Sequence, residues 1–408
     1  MNSMDEKNIA IMIKNILTLR YDPSLKTNWK KLSSEDFELK ESSDYLESIE
    51  KSILTSIKKE LTDNEKRVSV ALSGGVDSIL LMSLLRKVFP DIEVEAISVK
   101  FSNSVDETKI ANTIAEKFGA NHHIIPIDNF LEELPKAISI IKMPFWDTHW
   151  YHIAKTAKKF SKSLVSGDGG DELFGGYTFR YEKFLSQVNP EMSPLEKTKL
   201  YLDCHERDWV PDQDNLFGNK SEFSWDEIYS MLLPYFDNSL SPIDQVFLAD
   251  INGKLPYNWI PLNHSFHEYF NLKAITPLLS KELMSFASHL NHKLKYNQEE
   301  NIGKLPLRKI LAKYVSQNLI TSKKQGFSVN TVNLWESHGK KLCDYYLNDA
   351  RIVKDGWINK NWINKNFKIL NENPNVRYVN KFLGLLAFEV WYRIFVTKEM
   401  NENTILNT

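Results

Sequence analysis

Short apolar runs alternate with helix-patterned segments between residues 67 and 180, and this alternation constrains the fold of the 408-residue chain more than any other feature. The runs RVSVAL, VEAISVKF, HHIIPI and SLV are strand-like, and each of the first three is followed by a segment with helical spacing. Strands and helices that alternate at this spacing predict a parallel sheet covered on both faces. With right-handed crossovers, the predicted fold class is α/β, a doubly wound parallel sheet whose ligand lies beyond the carboxyl ends of the strands.

The remaining segments have mainly helical patterns. Residues 1–64 are polar and lysine-rich, and two short amphipathic helices are expected there. After about residue 185 the helical segments are longer and aromatic-rich, and the most apolar of them, NKFLGLLAFEVWYRIFV, predicts a buried helix. We therefore predict three parts: an N-terminal helical segment and linker (1–64), an α/β core (65–185) and a mostly helical region that forms a cleft against the core (186–408).

Composition excludes several classes of protein. Lys+Arg total 51 against 53 for Asp+Glu, a formal net charge of −2, so there is no overall basic field to attract nucleic acid or an anionic membrane. The only cysteines, Cys204 and Cys343, exclude a disulfide framework and suit a reducing cytosol. The first residues lack the apolar core of a signal peptide, and no apolar window approaches the length of about 18 residues that a membrane span needs. We expect a cytoplasmic protein that binds neither nucleic acid nor membrane.

A polar turn, SGGVDS at residues 73–78, interrupts the chain where the first predicted strand ends and a helix begins. Its glycines let backbone N–H groups approach an anion, the helix N-terminus adds donors, and the Ser73 and Ser78 hydroxyls add two more. This pattern predicts a phosphate site. Asp77 would repel phosphate unless a divalent cation lay between them, and Mg²⁺ prefers one or two carboxylates together with phosphate oxygens. The alternative is a structural turn in which Asp77 or Ser78 caps the helix.

The SGGVDS turn resembles the pyrophosphate-binding PP-loop, S-G-G-x-D-S, and does not fit the Walker pattern. The resemblance implies the fold of the PP-loop ATP pyrophosphatases (adenine nucleotide alpha-hydrolase-like). It also implies cleavage of ATP between the α- and β-phosphates, which releases pyrophosphate and leaves an adenylylated substrate. NAD and GMP synthetases, tRNA thiolation enzymes, argininosuccinate synthetase and asparagine synthetase share this loop. It therefore indicates the nucleotide chemistry but not the substrate.

A second glycine-rich and acidic stretch, LVSGDGGDELFGGY at residues 164–177, follows another apolar strand. It resembles the asparagine synthetase signature S-G-[DE]-G-x-D-E-x-F-G-G-Y at every fixed position. Because Asp77 and Asp171 follow two strand ends, they can together hold Mg²⁺ on the β- and γ-phosphates. The resemblance implies that Asp168 lies near the reacting acyl carbon.

Two downstream motifs extend the resemblance to asparagine synthetases. GKLPLRKIL resembles the G-K-x-x-L-R helix of that family, which implies phosphate contacts from Lys304 and Arg308. SKKQGFSV resembles the K-x-G-F loop, which implies that Lys324 stabilises the transition state as a fixed cation. The predicted catalytic residues are therefore Lys324 and Asp168, and the predicted Mg²⁺ ligands are Asp77 and Asp171. The predicted ATP contacts are Leu72, Ser73, Gly74, Gly75, Asp77, Ser78, Val99, Ser166, Gly167, Lys304 and Arg308.

Members of the resembled family usually begin with a glutaminase domain whose nucleophile is the cysteine after Met1. In this chain residue 2 is Asn, and no cysteine precedes Cys204. Residues 16–39 resemble the tail and linker of the glutaminase domain. We therefore expect the nitrogen to come from free ammonia, from an amine on another molecule or from a separate glutaminase subunit.

Residues 255–280 depart from the pattern of the resembled family. That pattern is L-P-x-x-x-L-x-K-x-D-R-x-S followed by E-x-R-x-P-F-L-D, and its charged positions are here occupied by Leu262, His264, Ser265, Lys273, Ile275 and Ser280. Charges are lost or reversed beside the presumed substrate cleft. We therefore expect a specialised small-molecule or peptide carboxylate as substrate rather than aspartate.

The main functional prediction is an ATP-dependent, AMP- and pyrophosphate-forming amide synthetase with ATP and Mg²⁺ as cofactors. Two alternatives remain open. A tRNA-modifying PP-loop enzyme predicts a basic RNA-binding face and usually catalytic cysteines, and the composition offers neither. A catalytically degenerate subunit that binds nucleotide and serves a partner would explain the altered 255–280 segment, although the retained Asp77, Asp171 and Lys324 favour an enzyme.

Overall fold

The computed structural model describes residues 5–40, 43–62, 64–102, 104, 106–320 and 329–407. Its sheet contains the strands β1 (Arg67–Ala71), β2 (Glu93–Phe101), β3 (Asn121–Ile127), β4 (Ser163–Val165) and β5 (Lys273–Ile275). The strands pair in parallel in the order β3-β2-β1-β4-β5. The α/β fold with a doubly wound parallel sheet is therefore confirmed.

Helices make up most of the remaining described structure. The α-helices are α1 (Glu6–Leu19), α2 (Tyr45–Glu60), α3 (Val76–Val88), α4 (Thr108–Lys117), α5 (Leu134–Ile141), α6 (His149–Ala157), α7 (Gly170–Phe174), α8 (Thr178–Gln187), α9 (Pro194–Asp203), α10 (Trp225–Leu232), α11 (Pro242–Ile251), α12 (Ile260–Tyr269), α13 (Lys281–His289), α14 (His292–Lys295), α15 (Leu305–Leu311), α16 (Thr331–Leu334), α17 (Lys340–Asn348), α18 (Arg351–Lys354), α19 (Lys360–Glu372) and α20 (Val376–Phe395). Two π-helical turns, Leu255–Trp259 and Trp335–Gly339, run directly into α12 and α17.

The strand order reverses between β1 and β4, and this reversal positions the site. From β1 the chain proceeds outward to β2 and β3, then crosses back to place β4 on the other side of β1. In doubly wound sheets, ligands bind in the crevice at the carboxyl ends of the strands where the order reverses. The segment after β1 (residues 72–78, here the first loop) and the segment after β4 (residues 166–171, here the second loop) leave the sheet at that crevice.

Both faces of the sheet are covered by apolar side chains. Val68 and Val70 of β1 pack on one face, whereas Ile97 and Val99 of β2 pack on the other. The second face is covered in part by α6, and α20, whose Phe382, Phe388 and Trp391 are fully buried, belongs to the same core and packs on α5. The buried C-terminal helix predicted from its apolar pattern is therefore confirmed.

Strand β5 was not expected from the sequence, because residues 186–408 were predicted to be mostly helical. It pairs with β4 in the register Ser163↔Lys273 and Val165↔Ile275. Three residues are too few to show the two-residue period that marks a strand. The three-part division of the chain stays a prediction. Among the residues that the structure describes, no helix is long and apolar enough to cross a membrane.

Candidate functional site

The first loop is held by hydrogen bonds between its own serines and backbone. The Ser73 and Ser78 hydroxyl oxygens lie 3.0 Å apart, the Ser73 N–H donates to Ser78 Oγ (3.1 Å), and the Gly75 N–H donates to Ser73 Oγ (3.1 Å). Helix α3 begins within this loop at Val76, with Gly75 as its N-cap. The first amide groups of α3 therefore lie at the crevice, where a helix N-terminus favours an anion.

The second loop packs directly against the first, and its glycines make this contact possible. A Cβ atom on Gly167 would lie 2.8 Å from Asp77 Cβ, and one on Gly170 would lie 2.5 Å from Asp77 Cγ. Gly169 has a φ of +90°, which side-chain-bearing residues rarely adopt. The two loops therefore form one continuous surface around the Asp77 side chain.

We expect Gly170→Ala to lower the free energy of unfolding by about 1–3 kcal/mol, since the added methyl group must displace the Asp77 carboxylate. Urea denaturation of the full chain measures the change. The control is Gly384→Ala in α20, where a Cβ meets only a Leu17 methyl group at 3.2 Å and alanine favours the helix. Equal destabilisation by the two substitutions would contradict close packing of the loops.

The carboxylates of Asp77 and Asp171 converge on one cation, the ammonium group of Lys304. Lys304 Nζ lies 2.5 Å from Asp77 Oδ2 and 2.9 Å from Asp171 Oδ1. Burial lowers the pKa of the Lys304 ammonium, but Asp171 and Asp77 outweigh this effect and raise the pKa above its usual value. The two predicted metal ligands therefore face a common position at the crevice.

These two carboxylates fit Mg²⁺ in their chemistry. Both offer hard oxygen ligands, and the position they share already holds a positive charge. Among the described residues, no group of three or more His, Cys, Asp and Glu side chains is arranged to hold a metal ion. A Mg²⁺ ion at Asp77 and Asp171 would take its other ligands from phosphate oxygens and water, which is its usual preference.

Asp168 is a half-buried acid on the second loop. Its Oδ2 accepts hydrogen bonds from Ser166 Oγ (2.8 Å) and from Asn263 Nδ2 (3.1 Å). Burial raises the pKa of Asp168 above its usual value, although these two hydrogen bonds oppose the shift. A carboxyl group with a raised pKa suits proton transfer closer to neutral pH than an ordinary aspartate does.

Helix α12 brings the altered 255–280 segment against Asp168. Asn263 is buried on α12, and His267 one turn later accepts a hydrogen bond from Trp150 Nε1 (3.1 Å). His149, which contacts Asp147 at 3.2 Å, interacts electrostatically with Asp168. No sequence pattern singled out Asn263. Its position four residues before a buried histidine, on the same helix face, is the one signal that could have indicated it.

The stability of the protein should depend on pH through His267. Burial lowers the pKa of His267 to about 4, and His264 contributes in the same direction. A histidine in the unfolded chain has a pKa of about 6.5. Between pH values of about 6.5 and 4 the unfolded chain therefore binds more protons than the folded protein does. As a result, the free energy of unfolding falls as the pH falls from about 6.5 towards 4. Each unit of pKa difference is worth about 1.4 kcal/mol.

We expect His267→Gln to reduce this dependence, since glutamine retains an acceptor for Trp150 but does not titrate. The part that remains comes from other buried histidines, such as His152 and His205, whose pKa values burial also lowers. Urea denaturation at several pH values between about 7.5 and 5 measures the slope. The control is His264→Gln on the exposed side of the same helix, which should retain most of the slope. An unchanged slope in His267→Gln would show that other groups account for the acid sensitivity.

The remaining predicted site residues are placed as follows. Leu72 and Val99 lie on neighbouring strands, but their side chains pack on opposite faces of the sheet, so one face does not present both side chains to a nucleotide base. Arg308 is half-buried one turn after Lys304, and its Nε donates to Gly303 O (2.8 Å). Lys324 lies outside the described residues.

A buried polar network supports the chain just after the second loop. A cavity of about 20 Å³, enough for about one water molecule, is lined by Glu172, Tyr177, Arg180 and Asp250 among others. The Tyr177 hydroxyl donates to Glu172 Oε1 (2.5 Å), and Arg180 Nη1 lies 3.1 Å from Asp250 Oδ1. These contacts connect α8 and α11 to the helix that carries Asp171.

The sequence profile of the asparagine synthase family (Asn_synthase) matches residues 48–393. Asparagine synthetase [glutamine-hydrolyzing] 1 of Bacillus subtilis is 25% identical over 370 residues, covering 80% of this chain and 56% of that protein. A putative asparagine synthetase [glutamine-hydrolyzing] of Mycobacterium bovis is 23% identical over 370 residues, covering 81% of this chain and 55% of that protein. The chain therefore spans about half the length of these curated relatives.

Solved structures show more distant similarity. The NH3-dependent NAD synthetase of Campylobacter jejuni has 20% sequence identity and a TM-score of 0.24, with 40% of this chain and 75% of that chain covered. The U34-tRNA thiolase of Methanococcus maripaludis has 16% sequence identity and a TM-score of 0.26, with 60% of this chain and 88% of that chain covered.

Proposed function

This chain belongs to the asparagine synthase family, and on that premise we propose that it is an ATP-dependent amide synthetase that forms AMP and pyrophosphate. The observation that carries the proposal is the convergence of Asp77 and Asp171 on one cation at 2.5 and 2.9 Å. This convergence lies where the strand order of a doubly wound sheet reverses, the usual place for a ligand.

In the proposed first step, a carboxylate substrate attacks the α-phosphorus of ATP. An acyl adenylate forms and pyrophosphate leaves. The backbone amide groups at the start of α3 bind the negatively charged phosphates. Lys304 and Arg308 add positive charge beside the phosphates. Asp77 and Asp171 would hold Mg²⁺, which supplies charge neutralisation on the outer phosphates. Backbone groups at Ser166 and Gly167 meet the adenylate. Positioning and charge neutralisation supply most of the rate in such chemistry.

In the proposed second step, the nitrogen of ammonia or an amine attacks the acyl carbon and AMP leaves. Asp168 receives the proton that the nitrogen loses, a role that its raised pKa supports. Lys324 stabilises the negative charge of the tetrahedral intermediate. The chain therefore acts as an amidotransferase-type ligase whose nitrogen source is free ammonia, an amine substrate or a separate glutaminase subunit.

The proposed substrate is a specialised carboxylate rather than aspartate. Helix α12 presents the neutral, buried Asn263 to Asp168 in the segment where the asparagine synthetase pattern carries charges. A substrate with its own amino and carboxylate charges would find fewer charged partners there, since Leu262, His264 and Ser265 replace lysine, aspartate and arginine. A small-molecule or peptide carboxylate other than aspartate fits this loss of charged residues better.

Exchange of labelled pyrophosphate into ATP tests the proposal without knowledge of the amine. The protein, ATP and Mg²⁺ are mixed with a panel of carboxylates that includes aspartate as the comparison. We expect exchange with a member of the panel other than aspartate, and release of AMP once an amine is added. Formation of ADP and phosphate would overturn the assignment. ATP binding without exchange, even with a co-expressed glutaminase and the cognate substrate, would favour the partner-subunit alternative.

A further inference from the structure

The Lys304 ammonium lies between the Asp77 and Asp171 carboxylates, at hydrogen-bonding distance from both. A divalent cation bound by the same two oxygens, Asp77 Oδ2 and Asp171 Oδ1, would lie in the same position. Two cations in contact with the same pair of oxygens repel each other strongly. Binding of these two oxygens by Lys304 and by a metal ion is therefore mutually exclusive.

The backbone conformation and hydrogen bonding of Lys304 hold this residue in position. It is the N-cap of α15 with a φ of 58°, its backbone N–H donates to Phe174 O (2.8 Å), and only 8% of the residue is exposed. A Cβ atom on Gly176 would lie 1.8 Å from Asp171 Oδ1 and 2.5 Å from Lys304 Cε. Only a glycine at position 176 therefore leaves room for the Lys304 side chain to reach Asp171. The side chain of an exposed surface lysine is not confined in this way.

We propose that Lys304 competes with divalent metal for Asp77 and Asp171, so that the metal binds well only together with a nucleotide. Without phosphate, displacing the ammonium separates a buried cation from both carboxylates, which is costly. The phosphate oxygens of ATP would supply the replacement acceptor, so that metal and nucleotide bind cooperatively. The nucleotide part of this inference rests on the proposed function, whereas the competition between lysine and metal does not.

Binding of Mn²⁺ to the full chain without nucleotide tests the competition. Free Mn²⁺ is followed by electron paramagnetic resonance during titration of the wild type and Lys304→Met. We expect Lys304→Met to bind Mn²⁺ at least about tenfold more tightly, because the cation that contacts both carboxylates is removed and the two carboxylates remain. The control is Lys309→Met on the same helix, an exposed lysine whose Nζ lies 3.2 Å from the Tyr45 hydroxyl. This control should bind like the wild type.

A second titration tests the cooperativity, with α,β-methylene ATP as the nucleotide and with corrections for Mn²⁺ bound to it in solution. The nucleotide should strengthen Mn²⁺ binding to the wild type more than to Lys304→Met. If Lys304→Met does not fold, Lys304→Gln purified with Mg²⁺ and then treated with a chelator replaces it. Equal Mn²⁺ affinity in the wild type and a folded variant would overturn the proposal. Absence of pyrophosphate exchange with every carboxylate would count against the proposed function alone.

Discussion

We expect Asp77→Asn to lower the rate of pyrophosphate release by about 10²- to 10³-fold, the usual cost of losing one group that stabilises transition-state charge. Asparagine has the shape of aspartate, so it retains the close packing of this side chain against Gly167 and Gly170. It lacks the negative charge that, together with Asp171, attracts a cation to the crevice. Asp171 still pairs with the Lys304 ammonium in this variant, so the loss should appear mainly in activity.

The comparison for Asp77→Asn is Asp91→Asn. Asp91 is exposed just beyond the far end of the same helix, α3, and has no place in the proposed site. Pyrophosphate release is measured for both variants with saturating ATP and Mg²⁺ and with the carboxylate that supports pyrophosphate exchange, and urea denaturation checks that both remain folded. If Asp77→Asn retained activity within about threefold of Asp91→Asn, the charge of residue 77 would have no part in catalysis.

The largest loss of stability is expected from Asp250→Ala, at about 3–5 kcal/mol in the free energy of unfolding. The carboxylate of Asp250 is 2% exposed and pairs with Arg180, whose side chain is 9% exposed. Asp250 Oδ1 also accepts a hydrogen bond from the Tyr201 hydroxyl (2.7 Å). Removing the carboxylate leaves a buried guanidinium without its main counter-ion, and this uncompensated charge accounts for most of the expected cost.

Tyr201→Phe provides the matched comparison, because it removes one hydrogen bond from Asp250 and leaves the ion pair in place. We expect it to cost about 1 kcal/mol. Urea denaturation of both variants under identical conditions gives the two values. A loss of less than about 1.5 kcal/mol in Asp250→Ala would mean that water or His205 stabilises the Arg180 charge after the substitution.

The central part of the sheet could be predicted from the sequence because its signals are local. The β-branched runs around Val68, Ala96 and Ile124 mark β1, β2 and β3 to within about two residues, the usual precision of strand ends. The polar residues that follow β1 and β4 belong to contiguous motifs, so their place at the strand ends follows from the chain itself. The predicted proximity of Asp77 and Asp171 needed only the rule that parallel strands end at the same edge.

What the amino-acid sequence determined by itself is a doubly wound parallel sheet that contains β1 to β4, and the two loops that follow β1 and β4. Only the tertiary structure decided which distant side chains complete the site: Lys304 between the two carboxylates, and Asn263 on Asp168. Periodicity and turn chemistry report on neighbours along the chain. A contact across the crevice depends instead on how helices α12 and α15 pack, and a lone lysine or asparagine carries no local signal of the partner that packing brings to it.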